Sequence, residues 1–231
     1  MAIRSVAHRL FDQNGFEAVT IADVAAAADV AVQTVFNHFA TKEELFFDGR
    51  AGRVDAAAAA VRQRPAGTAP LSALREHLMN SVTDYLAQLR DPAYRAVIST
   101  IEASPALRAY ERELHHESVD RLSEALTEAL RDDASGGAAT SGAEGDAIDP
   151  GIAAPLTASI WMSAIRALLI EQRNALADNA GAPGPRRAVT LFAGRVLEQF
   201  EWNLDLVPGT SPASLSRTTV TGWPAEVRRA G

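Results

Sequence analysis

Between Thr20 and Phe39 the chain reads TIADVAAAADVAVQTVFNHF, and few folds accommodate that string. Thr20 is a helix N-cap with Asp23 three residues on, in the manner of a capping box. The helix it opens carries Ile21, Val24, Ala25 and Ala28 on one face. Ala28-Asp29-Val30 then turns the chain before a second short helix whose inward face is Val32 or Val35, with Phe36 and Phe39. Two short helices joined so tightly must cross steeply, and a small residue is needed where they touch. Ala25 is placed for that, Val30 plugs the turn and Val35 returns to the core. This is the spacing of a helix-turn-helix, whose second helix lies in the major groove of DNA.

The rest of the chain is written in the same idiom. Alanine is abundant, and the alternation of β-branched and aromatic residues that a strand requires is hard to find in the 231 residues. Asp91-Pro92, Ser104-Pro105 and Asp149-Pro150 each set a capping residue before a proline, which is how a helix begins. The pattern predicts an all-α protein with helices over 3–14, 20–28, 31–37, 42–63, 71–89, 92–102, 105–133, 150–177 and 185–206. Two segments fall outside them. Residues 134–151 are rich in Gly, Ala and Ser and are expected to form a flexible loop, and 208–231 a mobile tail with Trp223 as its one large apolar anchor. Six of the eight phenylalanines, Phe11, Phe16, Phe36, Phe39, Phe46 and Phe47, fall in the first 47 residues. That concentration of large apolar side chains is what a small domain needs to hold together, so 1–47 is expected to be a domain of its own.

Charge complicates a DNA-binding reading. With 22 basic and 29 acidic residues the net charge is -7, and residues 1–47 alone carry -3, which argues against indiscriminate binding to polyanions. From Val30 to Lys42, however, there is no acidic residue, so the reading face itself is neutral to positive. The only lysine of the chain, Lys42, opens the helix after the helix-turn-helix, where Thr41 and Glu44 form a second capping box. A cation in a first helical turn opposes the helix dipole, and a phosphate bound at that N-terminus would account for it. The absence of cysteine excludes disulfides, thiolate metal sites and cysteine nucleophiles. No leader or membrane span is expected, since the most apolar window, 152–170, is broken by Pro155, Thr157, Ser159, Ser163 and Arg166, and a cytoplasmic location is the default.

Residues Ile3 to Leu45, IRSVAHRLFDQNGFEAVTIADVAAAADVAVQTVFNHFATKEEL, resemble the DNA-binding domain of the TetR family of transcriptional regulators. The helix-one Leu-Phe, the Asn-Gly-Phe, the Thr20 cap, the turn, the Phe36-x-His38-Phe39 run and the Thr-Lys-Glu-Glu-Leu start all occur in order. The resemblance implies that Thr20 meets a phosphate, that Val32, Gln33 and Thr34 face base edges, and that Asn37, His38 and Lys42 flank them near the backbone. Gln33 suits adenine N6 and N7, and the methyls of Val32 and Thr34 suit thymine. The chain departs from the family at three places: Asp29 replaces the usual turn glycine, Phe36 replaces a phosphate-bonding tyrosine, and the match begins at Ile3 without a basic arm.

The same resemblance implies a second, helical domain over 48–207 for effector binding and dimerisation. Its last two long helices would pair with their symmetry mates through Leu156, Ile160, Leu168, Val189, Phe192, Val196 and Phe200. Candidate lining residues for a small-molecule effector are Tyr94, Ile98, Glu102, Tyr110, Trp161 and Ile165. The expected protein is then a homodimeric, ligand-responsive repressor on a palindromic operator, with no cofactor, no metal and no catalytic residues. Two rivals stand beside it. Glu113-x-x-His116, with Glu111 and His115, has the spacing of half a metal-carboxylate enzyme site, although such a site needs two motifs and more glutamates. The other is a scaffold that keeps the helix-turn-helix shape and binds protein instead of DNA.

Overall fold

A computed structural model of the chain describes residues 2–47, 53–136, 149–177 and 186–203. Every regular element among them is a helix: α1 (Ala2–Asn14), α2 (Ile21–Ala27), α3 (Val32–Phe36), α4 (Lys42–Phe47), α5 (Ala56–Arg62), α6 (Pro70–Gln88), α7 (Pro92–Ala103), α8 (Pro105–Gly136), α9 (Pro150–Ala177) and α10 (Arg186–Asn203). The three expected proline starts are built as the sequence suggested. Asp91 accepts from the Ala93 N–H at 2.9 Å, Ser104 Oγ from Leu107 N–H at 3.2 Å and Asp149 from Gly151 N–H at 2.7 Å. Each caps a helix whose first residue, a proline, has no N–H to lose.

The α8 helix is the spine. Its 32 residues span about 48 Å, and along that length it meets α4, α5, α6, α7 and, most extensively, α9. α10 packs on α6 and α9. A continuous apolar core runs from Phe11, Phe16, Val24, Leu45 and Phe46 at one end through Leu74, Val82, Leu107 and Leu126 to Trp161 and Leu197.

One expected element divides. The helix predicted over 42–63 gives way to a turn at 53–55, after which α5 starts afresh. The new start lets the alanine-rich face of Ala57, Ala58 and Val61 bury completely against α6 and α8. Asp55, at the N-cap, makes no capping bond and instead accepts from Arg121 of α8 at 2.5 Å. Within the expected 134–151 loop, α8 runs to Gly136 and α9 begins at Pro150; residues 137–148, and the expected tail at 208–231, lie outside the described residues.

α9 also corrects the expectation about membranes. From Pro150 to Asn174 it is long and apolar enough to cross one, with a mean hydropathy of 1.5, despite its interruptions. The alanines explain the value, and they bury one face: Ala153, Ala154, Ala158, Trp161 and Ile165 sit in the core. Thr157, also buried, donates to the Ala153 carbonyl at 2.7 Å and so keeps its hydroxyl satisfied inside the helix.

Candidate nucleic-acid interface and internal cavity

The N-terminal helices meet as a helix-turn-helix. Thr20 and Asp23 close the capping box in both directions: Asp23 N–H donates to Thr20 Oγ1 at 3.2 Å, and Thr20 N–H donates to the Asp23 carboxylate at 2.8 Å. The Thr20 hydroxyl donates to the same carboxylate at 2.7 Å, and these bonds hold the Asp23 pKa below its ordinary value. Asp29 takes φ 54°, the left-handed conformation the turn requires and one that Asp tolerates better than most residues. Val30 N–H then donates to the Ala25 carbonyl at 3.0 Å, closing the turn over the small residue at the crossing.

On α3 the side chains sort by face. Val35 is fully buried, while Val32 and Phe36, four residues apart, are 41% and 46% exposed. The expected inward role of Phe36 is therefore corrected: in a helix of five residues, burying Val35 turns the 32 and 36 positions outward. Gln33, Asn37 and His38 are exposed beside them, and Thr34 is half-buried. Gln33 Nε2 donates to Asn37 Oδ1 at 3.1 Å, which orients the Gln33 amide and leaves its carbonyl oxygen and second N–H free to meet a partner. Of the base-facing set implied by the resemblance, Val32 and Gln33 are exposed and Thr34 is half-buried, and Phe36 is exposed beside them.

Lys42 is engaged differently from the sequence expectation. Its ammonium donates to the carbonyls of Phe16 at 2.9 Å and Val19 at 3.1 Å, and stands 4.2 Å from the centre of the Phe16 ring. Two loop carbonyls and an aromatic face account for a cation in the first turn of α4 without a phosphate. An ammonium has three donors, so one remains for an external oxygen. Thr41 caps α4 as expected, Glu44 N–H donating to Thr41 Oγ1 at 3.0 Å, but the Glu44 carboxylate accepts from Ala40 N–H at 2.6 Å, one residue before the N-cap expected of a capping box.

A cavity of about 450 Å³ opens between α5, α6, α8 and α9, and a second of about 230 Å³ adjoins it toward α7. Both are lined by Arg53, Tyr85, Glu111, His115, Arg166, Leu169 and Arg173. Of the six expected lining residues, Ile165 lines the larger cavity and Tyr94 and Ile98 the smaller. The other three serve elsewhere. Trp161 is wholly buried in the core, Tyr110 packs its ring on Phe47 at 5.4 Å, and Glu102 accepts from Arg173 at 3.3 Å.

Arg173, which sequence reading passed over, organises the cavity wall. Both its terminal nitrogens donate to the Glu111 carboxylate, at 2.9 and 2.6 Å, and its Nε donates to Tyr85 Oη at 2.7 Å. Burial works against the Arg173 charge, but Glu111 and Tyr85 more than offset it and hold the guanidinium above its usual pKa. Burial also raises the Tyr85 phenol to about 12 and lowers His77 and His115, the latter with help from Arg166 and His116. Glu111 and His115, which stand beside the Glu113-x-x-His116 spacing, are thus an ion-pair partner of Arg173 and a cavity-lining histidine whose pKa burial lowers. No cluster of three or more potential ligands occurs among the described residues.

Two contacts join this wall to the helix-turn-helix. Ser104, at the α7–α8 corner two residues beyond Glu102, donates its hydroxyl to Glu17 in the loop before α2. Tyr110, next to Glu111, packs on Phe47 of α4.

A third surface lies on α9 and α10. Leu156, Ile160 and Phe192 of the expected dimer set are exposed, and Ile152 and Leu191, which were not anticipated, extend the patch. Leu168, Val189 and Val196 are half-buried at its edge, and the side chain of Phe200 lies outside the described residues.

Comparison with known proteins agrees with this geometry. Residues 3–48 match the sequence model of "Bacterial regulatory proteins, tetR family". Over 104 residues the chain is 34% identical to the HTH-type transcriptional regulator TcmR of Streptomyces glaucescens, a match that spans 43% of this chain and 46% of that protein, less than half its length. In overall fold it is similar to the crystal structure of a TetR-family protein of Mesorhizobium loti MAFF303099, with a TM-score of 0.50 at 18% identity over 87% of this chain and 94% of that one. The TetR family repressor AlkX of Dietzia sp. strain DQ12-45-1b aligns with a TM-score of 0.49 at 20% identity, covering 90% and 98% of the two chains. With the capping box, the left-handed turn and the outward face of α3 all in place over the matched residues, residues 3–48 carry a helix-turn-helix of the kind found in bacterial regulatory proteins of the tetR family.

Proposed function

We propose that this protein is a homodimeric transcriptional repressor that sits on a palindromic operator in the cytoplasm and is released by a small molecule. In this reading the division of labour follows the chain: residues 1–47 read DNA, and 48–207 bind the effector and dimerise. One observation carries the DNA-binding reading. The outward face of α3 presents Val32, Gln33, Phe36 and Asn37 on a segment that has no acid between Val30 and Lys42. Val32, Gln33 and Thr34 supply base contacts, while Asn37, His38 and the third donor of Lys42 supply backbone contacts, and Thr20 joins them where its hydroxyl turns from Asp23 to a phosphate. Dimerisation through the α9–α10 patch would place two such faces on one side of a two-fold axis, as a palindrome requires.

Ligand response has a physical route. Arg173 grips Glu102 and Glu111, and each lies beside a residue, Ser104 or Tyr110, that touches the helix-turn-helix. A molecule that shifted Arg173 would move both contacts together and change the separation of the two reading heads, provided it binds the two arrangements with different affinity. The test is a mobility-shift assay on DNA upstream of the protein's own and neighbouring genes. A discrete complex that survives excess nonspecific DNA supports the reading; no such complex on any of these fragments overturns it. The Glu113-x-x-His116 spacing favours no second reading, because the neighbouring Glu111 is already bound by Arg173.

A further inference from the structure

The charges around the larger cavity do not balance. Of its three lining arginines, Arg173 is met by Glu111 and, from outside the lining, by Glu102, and Asp84 is the one other carboxylate among the lining residues, exposed on α6. Arg53 and Arg166 also line both cavities, and neither has a hydrogen-bond or ion-pair partner among the described residues. Arg53 is exposed at the rim, whereas Arg166 is half-buried on α9, one helical turn before Ile170 and flanked by the apolar Ile165 and Leu169. A half-buried guanidinium beside apolar walls has lost part of its hydration, so its free donors are placed to gain from an arriving anion. The rest of the wall near it, Leu78, Met162, Ile165 and Leu169, is apolar. His115 does not compete for the anion's place as a second cation, since burial and Arg166 keep its pKa low.

We propose that the effector is an amphipathic carboxylate, its acid held by Arg166 and its apolar body laid along Leu78, Met162, Ile165 and Leu169. This rests on the ligand-responsive reading above and names the chemical class that reading leaves open. The cavity's volume of about 450 Å³ suits a drug-sized molecule. Arg53 at the rim draws the anion in, and Arg166 fixes its direction. A cationic ligand of the same shape would face Arg166 and Arg53 without a free carboxylate deeper than Asp84.

The test uses the full chain and two matched series, 2-naphthoate, 2-naphthylmethanol and 2-naphthylmethylamine, and decanoate, decanol and decylamine, followed by calorimetry. The carboxylate of at least one series is expected to bind about tenfold or more tighter than its alcohol and amine, the margin of a charge-assisted hydrogen bond. In Arg166→Gln that margin disappears while alcohol affinity stays, and Arg166→Lys restores part of it; circular dichroism verifies that each variant is folded. Equal affinity of acid and alcohol, a preference for the amine, no binding by any of the six, or a margin that persists in Arg166→Gln each overturns the proposal. The two readings fail separately. Carboxylates that bind as expected but leave DNA complexes intact would keep the ligand class and remove the ligand response, whereas release of DNA by the amines alone would do the reverse.

Discussion

At Lys42 a single side chain shows how far local reasoning reaches. A lysine in the first turn of α4 is opposed by the helix dipole, so some partner had to be present, and the sequence offered a phosphate. The partner in the fold is the pair of carbonyls of Phe16 and Val19, more than twenty residues upstream and beyond any local pattern. Lys42→Ala should therefore lower thermal stability, by about 1.5–3 kcal/mol for bonds from a part-buried charged donor, as well as weaken DNA binding. Gln33→Ala, on an exposed side chain, should leave the melting temperature nearly unchanged and relax base preference at one position of each half-site, by about 1–3 kcal/mol. Thermal denaturation beside selection of binding sequences separates the two. Equal melting temperatures for Lys42→Ala and the wild type would show that its carbonyl bonds contribute nothing. Asp23 adds a pH signature. Its pKa is lowered in the folded protein by the Thr20 bonds, so the stability it contributes is present above the ordinary carboxylate pKa and is lost as pH falls through the lowered one. Asp23→Asn should flatten that acid limb in denaturant titrations between neutral and acid pH.

Helix beginnings were legible because a cap is a local device: Asp91, Ser104 and Asp149 each bond two or three residues ahead. Short helices were harder. α3 has too few residues to display a period, so the sequence left open whether Val32 or Val35 points inward and assigned Phe36 to the wrong face. The cavity was least legible, since Arg173 meets Glu111 across 62 positions and Tyr85 across 88, and neither separation leaves a mark in a single sequence. Ser104 joins these levels, capping α8 and donating to Glu17 at once. Ser104→Ala should cost about 1–2 kcal/mol of stability through the lost cap. Glu17→Gln retains the cap, so any change it causes in effector-induced DNA release reports the link to the helix-turn-helix alone. Release curves identical to wild type in Glu17→Gln would assign coupling to the Phe47–Tyr110 contact instead.

For the molecule as a whole, a net charge of -7 and a DNA-reading role are compatible because the acids are kept off one short face. The exposed Ile152, Leu156, Ile160, Leu191 and Phe192 require a partner more than a solvent, and a second copy would supply the same apolar surface across a two-fold axis. Leu156→Glu or Phe192→Glu should give a folded monomer by analytical ultracentrifugation with operator affinity reduced at least tenfold, because each head would then bind alone. A variant that stays dimeric would move the interface elsewhere. The most direct measurement is a hydroxyl-radical footprint on an upstream fragment that gives a discrete mobility-shift complex. Two protected half-sites related by a dyad, about one helical turn or a multiple of it apart, are expected from two α3 helices on one dimer, and protection should fade in Gln33→Ala only where one base position is changed. A single unpaired patch of protection, or none at all at protein concentrations that saturate the mobility shift, would contradict a dimeric reader of a palindrome.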